Sequence, residues 1–256
     1  MAGSSKTISS KLFLLYIGLS AFFLGNAILA QFIGVKIFSI NDLFNFPENS
    51  DLQINMSIGV IIWPLVFITS DILNEYFGKK GVRRISFISA GVILYASVMT
   101  YLGTKTPPAS FWLDANLAYG VENNFDINLA YNVIFSQGIG IVIGSVTAFL
   151  VSQLVDVYVF HYLRGLTEHR FLWLRTTGST IVSQLIDSFL ILFIAFFVLG
   201  NWSLKQVFDV GLVQYIYKVG IAILLTPLIY LVHYFIDRYL GKRLSEESML
   251  LADKDW

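Results

Sequence analysis

The sequence predicts an all-α integral membrane protein with about six transmembrane helices and both termini in the cytoplasm. Its 256 residues are 56% hydrophobic and only 13% charged, and the mean hydropathy is +0.69. Soluble domains carry about 25% charged residues. The apolar residues also lie in runs as long as a bilayer-spanning helix, which needs about 20 residues. We interpret residues 1–256 as a single transmembrane domain.

Six apolar segments are the candidate spans. In chain order they cover approximately residues 12–33, 54–75, 85–102, 133–162, 176–199 and 210–236. The first is longer than the apolar core of a signal peptide, which indicates a retained helix. Pro64 lies in the middle of the second span and predicts a kink there, because proline leaves one helix carbonyl without its backbone donor. A tight basic turn at 78–84 follows this span.

The longest connection, about 103–132, joins the third and fourth spans. Phe111, Trp112 and Tyr119 in this connection are residue types that favour the headgroup zone of a bilayer. They predict an interfacial helix.

The basic residues predict the orientation of the chain. One side receives 13 of the 17 lysines and arginines, namely Lys6, Lys11, Lys79, Lys80, Arg83, Arg84, Arg164, Arg170, Arg175, Arg238, Lys242, Arg243 and Lys254. The other side keeps Lys36, Lys105, Lys205 and Lys218. Cytoplasmic loops carry an excess of lysine and arginine, so the first side is predicted to be the cytoplasm.

The stretch 64–78 carries polar side chains inside an apolar span. Asp71, Asn74 and Glu75 are three or four residues apart and share one helix face with Phe67, one turn earlier. Carboxylates are costly when they face lipid, so this face is expected to meet protein or a water-filled cavity. The alternative interpretation is a helix that simply ends at Glu75.

A polar heptapeptide occurs twice, as Val-Ser-Gln-Leu-Val-Asp-Val at 151–157 and as Val-Ser-Gln-Leu-Ile-Asp-Ser at 182–188. In each copy the serine, glutamine and aspartate share one helix face. The copies fall on antiparallel neighbouring spans, so Gln153, Asp156, Gln184 and Asp187 are expected at the level of Asp71. Such groups can line a hydrated pocket. The alternative is a buried network that only joins the helices.

Small residues recur every four positions ahead of Asp156, at Gly140, Gly144, Ala148 and Ser152. This spacing lets helix backbones approach closely. It predicts helix packing, either within the chain or in a homodimer.

The sequence lacks the motifs of several kinds of catalytic and metal-binding sites. There is no cysteine, no phosphate-binding loop and no Gly-x-Ser-x-Gly elbow. His161, His169 and His233 lack a metal-ligand spacing, and we interpret them as interfacial. We therefore predict no cofactor, no bound metal and no catalytic residue, and the absence of a basic tract predicts no nucleic-acid partner. An intramembrane enzyme that uses paired aspartates is the alternative from another class.

The residue types of the predicted site indicate a class of ligand. Carboxylates accept hydrogen bonds, whereas asparagine and glutamine side chains both donate and accept them. Such a set suits a flat heterocycle with N–H donors beside a carbonyl, as in a guanine-like base. Trp63, Phe67, Tyr76 or Trp173 would cover the face of its ring.

Several segments resemble the queuosine precursor transporter family, also called the vitamin uptake transporter family. They are Asp71-Ile-Leu-Asn-Glu-Tyr-Phe-Gly78, the pair Arg83-Arg84, the two Ser-Gln-Leu-x-Asp segments, and Asn26-Ala-Ile-Leu-Ala30 followed by Lys36. The resemblance extends over about residues 12–236.

The resemblance implies a six-helix inner-membrane importer of 7-deazaguanine precursors of queuosine, a modified tRNA base. Its substrates would be 7-cyano-7-deazaguanine, 7-aminomethyl-7-deazaguanine or queuine, and its partners a purine-like molecule and the lipid bilayer. Together with Phe67, the predicted substrate-binding residues are Asn26, Lys36, Asp71, Asn74, Glu75, Gln153, Asp156, Gln184 and Asp187. The alternative for Lys36 is that it has no ligand role and only extends its ammonium to the membrane–water interface. The second transport hypothesis is a substrate-binding subunit of an energy-coupling-factor importer with a separate ATPase.

Overall fold

Helices dominate the computed structural model, which describes residues 2–34, 36–43, 45, 55–116, 126–136, 139–167 and 170–254. The α-helices are α1 Ala2–Ile33, α2 Ile40–Leu43, α3 Trp63–Lys105, α4 Ser110–Asn116, α5 Ile127–Phe135, α6 Ile139–Leu166, α7 Leu172–Leu192, α8 Leu204–Leu224, α9 Thr226–Leu240 and α10 Lys242–Lys254. A 3-10 helix, Ile58–Ile61, precedes α3, and a π-helix, Phe193–Val198, extends α7.

Five helical stretches of the described residues are long and apolar enough to cross a membrane. They are Ser10–Ile33, Ile58–Lys105, Ile127–Leu166, Leu172–Val198 and Leu204–Leu224. The prediction of an all-α membrane protein is therefore confirmed. Because Ile58–Lys105 is 48 residues long and contains both the second and the third predicted span, the number of crossings and the cytoplasmic location of the termini stay predictions.

A sharp bend divides α3 at Gly78, which has a φ of +67° and a ψ of −175°. The predicted kink at Pro64 is wrong, because this proline lies in the first turn of α3, where its missing N–H breaks no helix bond. The basic segment 79–84 is helical, so the predicted turn is confined to Gly78. Hydrophobic residues from both sides of the bend share one buried cluster with Phe23 of α1 and Phe149 of α6.

Replacing Gly78 by alanine is expected to lower the free energy of unfolding by about 1–3 kcal/mol. An L-residue is strained at this φ, and the added Cβ would lie 2.6 Å from the carbonyl oxygen of Ala252 in α10. Thermal unfolding in detergent measures the effect. Gly91→Ala is the control, because no described neighbour lies within 4 Å of a Cβ added there, and its melting temperature should equal or exceed that of the wild type. Equal melting temperatures for both variants would contradict the prediction.

A two-stranded antiparallel ribbon lies between α1 and α3. β1, Ile37–Ser39, pairs with β2, Asn55–Ser57, with Phe38 opposite Met56. The Ser57 hydroxyl donates to the carbonyl of Gly34, 2.6 Å away, and a Cβ added at Gly59 would lie 3.0 Å from the Ala30 carbonyl. These contacts hold the entrance of α3 against the end of α1.

The small residues of α6 pack inside the chain. A Cβ added at Gly140 would lie 3.0 Å from Leu199, and one added at Gly144 would lie 3.0 Å from Ala195. Both contacts join α6 to the π-helical end of α7, which runs antiparallel to it. The packing prediction is thereby resolved in favour of an internal contact, and a homodimer stays a prediction.

Two of the predicted spans are divided in the structure. The fourth predicted span is divided between α5 and α6, and Ser136 follows the end of α5. The sixth is divided at Leu225, because Pro227 in the first turn of α9 cannot continue the hydrogen bonds of α8. The predicted interfacial helix corresponds to α4, which contains Phe111 and Trp112, whereas Tyr119 lies outside the described residues.

The C-terminal helix α10 packs against the bend in α3. The Arg164 Nη2 of α6 donates to the carbonyl of Met249, 2.7 Å away. The Ser245 hydroxyl donates to Asp237 of α9, 2.5 Å away. The charged residues of α10 are thus an ordered part of the bundle.

Candidate functional site

A partly open cavity lies where the first turns of α3, the start of α7, the end of α8 and the start of α9 meet. Its polar lining consists of Asp71, Thr176, Thr177, Thr180, Tyr217 and Lys218. Trp63 and Phe67 add stacked aromatic rings whose centroids are 5.9 Å apart. Two of the ten predicted site residues, Phe67 and Asp71, line this cavity.

The polar face of α3 continues from the cavity into the protein. Asp71, Asn74 and Glu75 are each at most 2% exposed, and the helix continues to the bend at Gly78. The expectation that these side chains face protein is confirmed. The alternative of a helix that ends at Glu75 is wrong.

Two arginines hold the Glu75 carboxylate. Arg175 Nη2 of α7 lies 2.8 Å from Glu75 Oε1, and Arg164 Nη1 of α6 lies 3.8 Å from Glu75 Oε2. Arg164 Nη1 also donates to the backbone carbonyl of Glu75, 3.1 Å away. Their positions in the chain predict that both arginines are loop charges, but both are buried. Glu75 is therefore compensated by protein charges and does not reach the cavity.

The two copies of the heptapeptide bind each other reciprocally. Ser183 of the second copy donates to Asp156 Oδ1 of the first, at 3.1 Å. Ser152 of the first copy lies 3.4 Å from Asp187 Oδ1 of the second. This exchange follows from the antiparallel packing of α6 on α7. The prediction that the repeats meet is confirmed.

Asp71 connects the cavity to this network. Its electrostatic neighbours include the carboxylates of Asp156 and Glu75 and the guanidinium of Arg175. The neighbouring Ser70 hydroxyl donates to Gln153 Oε1, 2.9 Å away. Side chains of α3, α6 and α7 therefore form one continuous polar core beside the cavity.

Some buried polar atoms in this core have no hydrogen-bond partner among the described residues. They include Asp71 Oδ1, both polar atoms of the Asn74 amide, and Gln184 Oε1. Buried polar groups in proteins are normally hydrogen-bonded. Of these residues only Asp71 lines the cavity, so its carboxylate is the group that can accept from a polar ligand there.

Asp187 is bound by a cation from a third helix. Its Oδ2 lies 2.6 Å from the Nζ of Lys218 on α8. The carboxylate of Asp187 does not line the cavity, whereas Lys218 does. The predicted direct contact of Asp187 with a ligand is replaced by a contact with Lys218.

Asn26 and Lys36 are not brought to the cavity. The Asn26 amide donates to the carbonyl of Phe22 in its own helix, 2.8 Å away. Lys36 is exposed beside β1. Neither residue lines the cavity, so their predicted ligand roles gain no support from its geometry.

The remaining aromatic candidates also lie elsewhere. Tyr76 stacks on His233 and its hydroxyl donates to Asp237 Oδ1, 2.7 Å away, and Trp173 is exposed. His161 and His233 are buried inside the protein, and their interfacial depth in the bilayer stays a prediction. His169 lies outside the described residues.

Sequence reasoning missed Lys218, Arg175 and the hydroxyl-rich start of α7. Lys218 falls inside the predicted sixth span, and a cation in that position indicates a functional site. The run Thr176-Thr-Gly-Ser-Thr180 beside Arg175 is a second signal, because it places hydroxyl groups within an apolar segment.

A family model described as "Putative vitamin uptake transporter" matches residues 57–232 of the chain. The chain belongs to this family. The match includes the polar face of α3, both heptapeptides and Lys218, so it contains the whole lining of the cavity. The resemblance noted from the sequence is thereby confirmed.

Three curated relatives carry related names. The "Queuosine precursor transporter" of Escherichia coli is 28% identical over 236 residues, covering 88% of this chain and 91% of the relative. The "Probable queuosine precursor transporter" of Bacillus subtilis is 27% identical, with coverage of 68% and 70%. The protein of the same name from Haemophilus influenzae is 27% identical, with coverage of 69% and 67%. No solved structure matches the chain.

These relatives and the apolar helices identify a multi-pass inner-membrane protein with a small-molecule substrate. The relatives are named as transporters, which supports the prediction that the chain is not an enzyme. The absence of a nucleic-acid partner stays a prediction.

Proposed function

We propose that the protein imports queuosine precursors by binding a 7-deazaguanine base in the cavity between α3, α7, α8 and α9. The candidate substrates are 7-cyano-7-deazaguanine, 7-aminomethyl-7-deazaguanine and queuine. The observation that carries the proposal is the lining of the cavity, where the Asp71 carboxylate lies beside the stacked rings of Trp63 and Phe67. The names of the relatives support the substrate class.

The residues take different roles in this proposal. Asp71 accepts hydrogen bonds from the N–H groups of the base, because its Oδ1 makes no bond to the described residues. Asn74, Gln153, Asp156 and Gln184 do not line the cavity, and in this proposal they form the polar core behind Asp71. Their direct contact with the base stays a prediction. Glu75 keeps Arg175 in place, since their ion pair is buried.

Uptake by cells tests the proposal directly. The host is a strain that neither synthesises 7-deazaguanines nor has its own transporter for them. Cells that express the protein should accumulate labelled 7-deazaguanine, whereas cells with the empty vector should not. If the cells accumulate none of the three candidate bases, the proposal is refuted.

Purified protein in liposomes separates the importer from its alternatives. Entry of chemically unchanged base into liposomes that hold this chain alone excludes an obligatory ATPase partner. Recovery of a chemically altered base would instead support an enzyme.

Replacing Phe67 by alanine is expected to raise the KM for uptake about 5- to 50-fold, because a base loses one stacking surface. Phe67 lines the cavity, whereas Phe87, on the same helix, is 51% exposed away from it. Phe87→Ala is therefore the matched control and should keep the wild-type KM. Concentration-dependent initial rates of uptake give the measurement. Equal KM values for the two variants would remove Phe67 from the site.

A further inference from the structure

Lys218 brings a positive charge to the wall of the cavity that α8 forms. Its side chain is 9% exposed, and its Nζ lies 2.6 Å from Asp187 Oδ2. An ammonium group has three N–H donors, and the bond to Asp187 uses one of them. Among the described residues, this bond to Asp187 is the hydrogen bond that the Lys218 ammonium makes. The other two donors are available to a molecule in the cavity.

Asp187 fixes the position of this ammonium. Lys218 Nζ occupies its Oδ2, and the Ser152 hydroxyl lies 3.4 Å from its Oδ1. Both oxygens thus face protein donors from neighbouring helices. A carboxylate held in this way anchors the lysine head group, because charge-assisted hydrogen bonds are short and strong.

The cavity therefore has an acceptor wall and a donor wall. Asp71 on α3 supplies the acceptor, and Lys218 on α8 supplies the donor. A 7-deazaguanine presents two N–H donor groups and, next to them, the carbonyl at position 6. The two walls match these two parts of a single base edge.

We propose that Lys218, positioned by Asp187, donates a hydrogen bond to the 6-carbonyl of the base and selects 6-oxo over 6-amino 7-deazapurines. This inference rests on the proposed function, since it assigns one part of the same substrate. It also gives Asp187 a positioning role in place of direct contact with the base. A 6-amino group is itself a donor and cannot accept from the ammonium.

The test compares two labelled substrates, 7-cyano-7-deazaguanine and its 2,6-diamino analogue, in liposomes with purified protein. Lys218→Met is expected to raise the KM for the 6-oxo base about 10- to 100-fold, the effect of losing one hydrogen bond to a charged group. The KM for the 6-amino base should change less than about 3-fold, so selectivity falls. An equal change for both bases would overturn the inference. Lys218→Arg, which keeps a charged donor, should retain part of the preference.

The exchanged pair, Asp187→Lys with Lys218→Asp, separates binding from stability. It keeps an ion pair between α7 and α8 but removes the ammonium from the α8 wall. If the pair only joins the helices, the exchanged variant should regain the wild-type KM, and this result would overturn the inference. We expect it to recover the melting temperature and retain the raised KM. If Lys218→Met alone does not fold, the double variant Lys218→Met with Asp187→Asn replaces it in the test. The double variant leaves no unpaired carboxylate, and it should show the same loss of selectivity.

Failure of the two proposals can be told apart. Wild-type protein that takes up neither base refutes the proposed function and this inference together. Wild-type uptake with unchanged selectivity in the Lys218 variants refutes this inference alone.

Discussion

Replacing Arg175 by methionine is expected to lower the free energy of unfolding by about 3–5 kcal/mol, because it leaves the buried Glu75 carboxylate without its close partner. The two side chains are 5% and 1% exposed, and their charged atoms are 2.8 Å apart. Arg164 approaches the other carboxylate oxygen only to 3.8 Å. Thermal or denaturant-induced unfolding in detergent measures the loss.

Two further variants show whether the cause is the uncompensated charge. Adding Glu75→Gln to Arg175→Met removes the carboxylate, so the double variant should be more stable than Arg175→Met alone. Arg170→Met is the matched control, because Arg170 is exposed near the start of the same helix and should leave stability unchanged. An Arg175→Met protein with wild-type stability would show that the ion pair contributes nothing to the fold.

Replacing Asp71 by asparagine is expected to lower kcat/KM for uptake at least about 100-fold. The carboxylate is proposed to accept from the N–H groups of the base, and each hydrogen bond to a charged group is worth about 1.5–3 kcal/mol. Asparagine keeps the shape but exchanges one acceptor oxygen for a donor, which opposes the donors of the base. Initial rates in liposomes with purified protein give the measurement.

Asp209→Asn is the control for the Asp71 variant. Asp209 is 58% exposed on α8 and pairs with Lys205 on the same helix, so its replacement should leave uptake unchanged. The melting temperature of Asp71→Asn should stay within a few degrees of the wild type. A folded Asp71→Asn protein with full uptake would place the base elsewhere.

Much of the fold is already contained in short-range patterns of the sequence. Apolar runs and few charges predict membrane helices, and the repeated Ser-Gln-Leu-x-Asp segments predict two helices that meet face to face. The reciprocal contacts of Ser152 with Asp187 and of Ser183 with Asp156 agree with this prediction. The helical spacing of Asp71, Asn74 and Glu75 likewise predicts their common buried face.

The partners of the buried polar residues could not be predicted from the sequence, because the partners lie on helices that are distant in the chain. Asp156 and Asp187 occupy the same position in the repeat, yet Asp187 binds Lys218 of α8 whereas Asp156 lies near Asp71 of α3. No local pattern distinguishes them. Arg175 was misplaced for a related reason, since the positive-inside rule counts charges by position in the chain and not by contact.

The bend in α3 lies at Gly78 and not at Pro64, so the proline did not predict its position. Pro64 does not disrupt α3, because it lies in the first turn, where no helix hydrogen bond is lost. Gly78 instead adopts a backbone conformation that favours glycine and brings α3 against Ala252. That contact involves the far end of the chain and leaves no signature near residue 78.

The bond from Arg164 to the Met249 carbonyl has a consequence for biogenesis. A ribosome delivers Met249 only after every apolar segment has been translated, so Arg164 and the Glu75 carboxylate beside it enter the bilayer before α10 exists. Until then, the backbone carbonyl and the carboxylate of Glu75 are partners of that guanidinium. Docking of α10 then adds the Met249 carbonyl as an acceptor for Arg164.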